Sequence, residues 1–283
     1  MKPRMDSLFP KATTPPTHDH HHAEIKLSIT KALGDQLSRS LSELEPAPLD
    51  GPHIESVRRL PGVYQLWHEN ELVYIGKADR AIPTRLWKHH RKLSGRIGIS
   101  LEDMAFTALY VEEDFSAVAP EKLLIGRFQE SGAIPWNNNG FGINDPGKER
   151  DTTIFDETHF DCLYPANLDF KIPEMKPGEH TLEDLLKKTK ESLPYNFRYA
   201  NGKEAKELYA KTTVTITPEA QTADDVFLLI SSTLPPPWRV VALPGYVILY
   251  PREAEYKSAR RIYFKGDRAD SLCNIPTAIW ERG

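Results

Sequence analysis

The sequence predicts an α+β fold in two parts, and three observations support this prediction. Two short apolar runs within residues 62–76 alternate as paired strands do, with a turn between them. Residues 82–94 and 181–193 carry apolar side chains at helical spacing. Three runs rich in Val, Ile and Tyr follow near the C-terminus and are typical of strands. The 283 residues suffice for one sizeable domain and a second, smaller one.

The chain is divided here into a tail, a first domain and a C-terminal region. Residues 1–22 are polar and rich in proline, which predicts a disordered tail. The HDHHH run at 18–22 offers metal ligands, but a solvated tail is the preferred interpretation. Residues 23–170 are predicted to form the first domain, and residues 171–283 a C-terminal region that is α+β or β-rich.

Each element has its own sequence signal. In the first domain, apolar spacing predicts a helix at 23–45, and Pro83 and Gly95 delimit the helix at 82–94. The other elements expected there are a strand at 106–111, a helix at 120–130 and a turn-rich loop at 136–151. In the C-terminal region we expect a helix at 181–193, strands at 212–217, 238–243, 246–250 and 260–265, and either a helix or a buried strand at 224–234.

Composition limits the class of protein. The net charge of −4 does not indicate a general nucleic-acid binder, so any basic site must be local. The chain has no run of eighteen apolar residues, and we expect no contact with a membrane. Cys162 and Cys273 lie far apart without metal-ligand spacing, so no disulfide framework is expected. These features fit a cytoplasmic protein.

The first hairpin brings two phenols together. With a turn at His68–Asn70, Tyr64 falls opposite Tyr74, and opposite residues of an antiparallel pair share a face. Gly76 would then allow another backbone or a ligand to approach closely. An ordinary pair of aromatic residues across two strands would give the same pattern.

A basic face follows on the helix at 82–94. Arg85, His89 and Lys92 share this face, Lys88 lies beside it, and Arg96 comes just past the helix end. Cations in this arrangement suit a phosphodiester, because they neutralise phosphate and arginine can hold two of its oxygens. A solvated basic face with no ligand is the alternative.

Glu121 adds an acid to the apolar side of the helix at 120–130, where Leu124, Ile125 and Phe128 follow at helical spacing. An acid in a first turn also complements the helix dipole. A carboxylate on a buried stripe needs a partner, and a hard divalent cation such as Mg²⁺ or Mn²⁺ is a good one.

These residues resemble, in order, the landmarks of the GIY-YIG nuclease superfamily. The sequence reads GVY at 62–64, VYIGKA at 73–78 and RLWKH at 85–89, followed by Glu121 and Asn137. The WN…NGFG…DPG ending at 136–147 is similar to that of compact type II restriction endonucleases in this superfamily. The resemblance covers residues 30–155, and Asn138 and Asn139 are alternatives to Asn137.

The resemblance implies a small mixed β-sheet flanked by helices, with one site that hydrolyses DNA. Tyr64 would orient or deprotonate the attacking water, and Tyr74 would position the phosphate or share that role. Arg85 would stabilise the phosphorane, and His89 would transfer a proton or bond to Tyr64. Glu121 would bind the metal, and Asn137 would brace the site. Lys77 would either lower the pKa of a neighbouring tyrosine or act as the base itself.

The leading hypothesis is therefore a metal-dependent, site-specific DNA endonuclease of a restriction–modification system that acts as a homodimer on a palindromic site. A homing, mobile-element or repair nuclease is a close alternative. A module that binds nucleic acid without cutting it is an alternative from another class. Lys88, Lys92 and Arg96 are expected to contact DNA phosphates. Residues 171–283 would serve DNA recognition or dimerisation.

Overall fold

The structure is a computed structural model, and it describes residues 29–111, 124–126, 128, 134–142, 147–173, 176–217 and 221–270. Helices and sheets alternate irregularly along the chain, and the predicted α+β class is confirmed. The tail predicted for residues 1–22 lies outside the described residues. None of the described helices is long and apolar enough to cross a membrane.

The first sheet has four strands in the order β1-β4-β2-β3. Its strands are β1 (Ala47–Pro48), β2 (Gly62–His68), β3 (Glu71–Ala78) and β4 (Met104–Tyr110). In the described part of the chain, its three strand pairings are all antiparallel, so the mixed sheet expected here is not what these strands form. The direct connection between β2 and β3 explains part of this, since a two-residue turn can join only antiparallel strands.

Helices pack on both faces of this sheet. They include α1 (Ile29–Ser42), α2 (Gly51–Ser56) and α3 (Ile82–Ser94). One face buries Val63 and Ile75 against Leu37 of α1 and against Leu124, which lies in the predicted helix at 120–130 and is helical. The other face buries Tyr64 against Leu86 of α3. The predicted basic helix therefore lies on the face that carries the phenol.

α3 has the predicted bounds for identifiable reasons. Pro83 occupies its first turn, where the missing N–H costs nothing, and Gly95 caps its C-terminus. A Cβ on Gly95 would lie 2.1 Å from Cγ of Pro194. The glycine thus allows the C-terminal region to approach the end of α3.

The C-terminal region contains two further sheets. A five-stranded sheet has the order β11-β10-β8-β9-β6, in which only β6 and β9 are parallel, and β5 pairs with β7. The strands of the five-stranded sheet are β6 (Phe197–Tyr199), β8 (Arg239–Ala242), β9 (Val247–Tyr250), β10 (Arg261–Phe264) and β11 (Asp267–Asp270), and those of the two-stranded sheet are β5 (Gly178–Thr181) and β7 (Thr213–Ile216). The helices of this region are α5 (Leu182–Ser192), α6 (Lys203–Lys211) and α7 (Ala223–Thr233), and the short helix α4 (Phe160–Leu163) precedes it.

The structure resolves the open alternative at 224–234 in favour of a helix. α7 begins with a capping box in which the side chains of Thr222 and Asp225 each accept from the other's backbone N–H. Apolar residues occupy most of its length, which is why periodicity alone did not separate a buried helix from a buried strand.

The two regions are joined by the segment around α4. Phe155 and Cys162 are buried with the C-terminal sheet, whereas Phe160 between them is buried in the core of the first sheet. Arg96, just past α3, forms an ion pair of 2.9 Å with Asp161. The predicted boundary near residue 170 therefore follows a segment that packs against both the first sheet and the C-terminal sheet.

Candidate active site

The β2–β3 hairpin differs in register from the prediction. Its turn has two residues, Glu69 and Asn70, with φ values of 50° and 65°. Turns of this left-handed kind match the twist of a hairpin. Tyr64 lies opposite Gly76 rather than opposite Tyr74, so the predicted pairing is wrong.

An irregularity in β3 nevertheless keeps the two phenols on one face. The register shifts between Leu66 and Trp67, which pair with Tyr74 and Leu72 and leave one extra residue in β3. Without that residue, the two-residue turn would send the two phenols to opposite faces. With it, the ring centroids of Tyr64 and Tyr74 lie 6.2 Å apart across a diagonal of the pair.

Gly76 provides the space for both rings. A Cβ at this position would lie 2.4 Å from Cζ and Oη of Tyr64 and 2.8 Å from Cε1 of Tyr74. The close approach expected at this glycine is therefore made by the phenols themselves. Tyr64 and Tyr74 are 2% and 9% exposed, so the pair is buried in this conformation.

His89 of α3 completes the phenol cluster, which we define as Tyr64, Tyr74 and His89. Nε2 of His89 lies 2.7 Å from the Tyr64 hydroxyl and shares a hydrogen bond with it. The His89 ring centroid is 5.4 Å from that of Tyr74. The predicted bond between His89 and Tyr64 is present, and α3 carries Arg85 one helical turn before His89.

The surroundings of His89 keep its imidazole neutral. Burial, together with the smaller effects of the nearby charges on Lys92, Arg85 and Lys88, lowers the pKa of His89 to about 3. The imidazole consequently has one N–H and one lone pair at neutral pH. The Tyr64–His89 pair can therefore pass a proton without holding a positive charge at rest.

Phe141 is a part of the site that sequence reasoning missed. Its ring stacks on His89 with a centroid distance of 5.0 Å and an interplanar angle of 20°, and meets Tyr74 edge-on at 5.0 Å. A Cβ on Gly142 would lie 2.9 Å from the Tyr74 hydroxyl. The NGFG stretch could have indicated this role, because a single aromatic residue between glycines in a polar loop is often buried in a core.

Asn137 braces the strand that carries Tyr74. Its Nδ2 donates to the Ile75 carbonyl at 2.8 Å, and its Oδ1 accepts from the Ile75 N–H at 2.9 Å. Asn138 is exposed, and Asn139 accepts from the Phe160 N–H through its backbone carbonyl. Of the three alternatives, Asn137 is the one in contact with β3, as the bracing role requires.

Lys77 does not belong to the phenol cluster. It lies opposite Val63, on the face of the sheet that packs against α1, whereas Tyr64 lies opposite Gly76 on the other face. Its ammonium group is 3.4 Å from Asp79. This placement argues against Lys77 as the base or as the group that lowers a phenol pKa.

The predicted metal ligand, Glu121, lies outside the described residues, so its role stays a prediction. Among the described residues, ligand atoms of His68, Glu69 and Asp103 lie within 4.8 Å of one another. This group is at the hairpin turn, about 13 Å along β2 from Tyr64 at the usual rise per residue. We do not assign a metal to it, because exposed acidic groups often come together without one.

Only Lys88 of the three predicted phosphate contacts is exposed. Nζ of Lys92 is partly buried and donates to the Phe141 carbonyl at 2.6 Å. Arg96 is 7% exposed and is paired with Asp161, which argues against phosphate contact by Arg96. Sequence periodicity predicted that these residues lie along and just past α3. It did not indicate which of them the rest of the chain covers.

No protein-family model matches the chain, and no curated protein is significantly similar to it. The resemblance to GIY-YIG nucleases thus depends on the landmark residues and stays a prediction.

Proposed function

We propose that the protein is a metal-dependent DNA endonuclease, of the type II restriction kind, that cuts a palindromic site. The observation that carries the proposal is the hydrogen bond of 2.7 Å between Tyr64 and His89, with Tyr74 packed beside it. A buried phenol bonded to a neutral imidazole is a means of moving a proton, and Arg85 brings positive charge close by.

In the proposed reaction, the Tyr64 oxygen accepts a proton from the attacking water while its own proton moves to Nε2 of His89. Tyr74 positions the phosphate, and the Arg85 guanidinium stabilises the charge that develops on it. When bound, a divalent cation held by Glu121 would stabilise negative charge on the leaving 3′ oxygen. Asn137 holds Tyr74 in place through the backbone of β3.

A second candidate is a module that binds nucleic acid without cutting it. The observation that favours it is the burial of Tyr64 and Tyr74, at 2% and 9% exposure, which also suits an aromatic core. Cutting requires a movement of the residues that cover the phenols, and Phe141, packed on Tyr74 and His89, is one candidate.

One experiment separates the two candidates. The protein is incubated with plasmid and Mg²⁺, and discrete bands are expected only from a site-specific nuclease. The Glu121→Gln variant should bind DNA but not cut it, because the amide is a poorer ligand for a hard cation. Glu207→Gln, an exposed change on α6, is the matched control and should cut normally. Mg²⁺-dependent cutting by Glu121→Gln would remove Glu121 from the mechanism.

A further inference from the structure

A cavity of about 400 Å³ lies between α3 and the C-terminal region, beside the phenol cluster. Among the described residues that line it, Asp161 is the one acid. Its basic lining side chains are Lys88, Arg91, Lys92, Arg96, Arg150 and Lys190. Positive charge is therefore concentrated here, in a chain whose net charge is −4.

Two of the six cations hold the walls of the cavity together. The Arg91 guanidinium donates to the carbonyls of Glu191 at 2.6 Å and Leu193 at 2.8 Å, at the end of α5. Arg96 is paired with Asp161, which uses the one acidic group of the lining. The Arg91 bonds fix the C-terminal region against α3, and the described lining residues offer no second carboxylate to neutralise the remaining cations.

The other four cations have no carboxylate partner in the described parts of the chain. Lys92 donates to a backbone carbonyl, and burial together with the charge of Arg96 lowers the pKa of Lys92 to about 8. Lys88, Arg150 and Lys190 make neither a hydrogen bond nor an ion pair through their charged groups to any described residue. Unpaired cations of this kind attract an anion from solution.

The cavity also has the size and the apolar surface for more than a bare phosphate. Its volume falls at the lower end of the range for small-molecule sites. Phe155, Tyr195 and Tyr246 contribute aromatic lining, and the Arg150 guanidinium lies 5.3 Å from the Phe155 ring centroid. Aromatic rings beside cations suit a ligand that combines a planar base with a phosphate.

We propose that this cavity binds a phosphate-bearing ligand of nucleotide size, with Lys88, Arg150 and Lys190 as its phosphate contacts. The phosphate belongs either to a free nucleotide or to a nucleotide of a DNA strand. The second source depends on the proposed function, whereas the first does not.

The test uses the full chain and two probes, deoxyadenosine 5′-monophosphate and a short blunt DNA duplex, without Mg²⁺. Calorimetry measures binding by wild type, Lys190→Ala, Arg150→Ala and the control Lys211→Ala, an exposed lysine at the end of α6 that does not line the cavity. Each cavity variant should weaken binding of the accepted probe by roughly five- to tenfold, and the control should not. Deoxyadenosine, which lacks the phosphate, should not bind.

The outcomes identify the source of the phosphate. Binding of the mononucleotide that both cavity variants weaken supports a free ligand, whether or not the protein cuts DNA. Weakening of duplex binding alone supports a DNA phosphate. If neither probe distinguishes the cavity variants from Lys211→Ala, the inference is wrong, and cutting of plasmid by the wild type would still support the proposed function.

Discussion

The Tyr64 hydroxyl on β2 lies 2.7 Å from Nε2 of His89 on α3, so a hydrogen bond joins the sheet to the helix beside their apolar contact. The low pKa of His89 keeps the ring neutral, and the bond therefore contains a single proton shared between a phenol and an imidazole. Removing either partner should affect proton transfer more than folding.

Tyr64→Phe should reduce plasmid cutting by about a hundredfold or more, because it removes the proposed proton acceptor and keeps the ring. The measurement is the initial rate of cutting, with a thermal melt to check the fold. Tyr110→Phe is the control, since its hydroxyl accepts only from the backbone N–H of Arg58 among the contacts described. Wild-type cutting by Tyr64→Phe would show that its hydroxyl takes no part in the reaction.

Gly76→Ala should destabilise the protein by about 1–3 kcal/mol and impair cutting, because the new methyl group would overlap the Tyr64 ring. Urea unfolding measures the first effect. Gly202→Ala is the control: its φ is −64° and a Cβ there meets nothing within 4 Å. Equal stability of the two variants would mean that the phenol has room to shift.

Lys92 should make the free energy of unfolding depend on pH. Burial and Arg96 lower the pKa of Lys92 from 10.5 to about 8, while Asp161 raises it and the Phe141 carbonyl accepts from the amine. At a pH between these two pKa values the unfolded chain binds more protons than the folded protein does. The free energy of unfolding that this group contributes therefore rises as the pH increases. At pH 7 both states are protonated, and the penalty for burying the charge is complete.

Lys92→Met removes that penalty. The unfolding free energy of the variant minus that of wild type should therefore be larger at pH 7 than at pH 9.5, by on the order of 1 kcal/mol. Urea unfolding at the two pH values gives this difference. Lys88→Met, an exposed change on the same helix, is the control. A difference that does not change between the two pH values would contradict the lowered pKa.

The protein should act on DNA as a homodimer, because one set of landmarks cuts one strand and a palindrome presents two equivalent half-sites. Mixing wild type with Glu121→Gln should yield heterodimers that nick one strand, so open circular plasmid should accumulate. Linear product alone, in proportion to the wild-type fraction, together with light scattering from one chain per DNA, would exclude the dimer.

The hairpin shows what local sequence can predict. Two strands, their turn and the shared face of Tyr64 and Tyr74 followed from alternation and turn residues. The pairing did not, since the extra residue in β3 shifts the register by an amount that no turn signal contains. The prediction that the two phenols share a face is still correct, because the observed partner of Tyr64 is two positions from the predicted one and side chains two positions apart point to the same face.

Long-range packing explains most of the other differences. Asp161 lies 65 positions after Arg96 in the chain. Nothing in the sequence near Arg96 indicates that its side chain will form an ion pair with this carboxylate. Phe141 reaches the phenol cluster for the same reason, through folding of a loop. By contrast, the bounds of α3 were predictable because Pro83 and Gly95 act within one helical turn.

The two bonds between Asn137 and Ile75 also restrict how the protein can assemble. β3 is an edge strand, and an edge with available backbone groups can accept a strand from another molecule. The amide of Asn137 occupies both the N–H and the C=O of Ile75, in the middle of that edge. Strand pairing between two copies that runs continuously along β3 is thereby blocked at Ile75, unless the two bonds to Asn137 break.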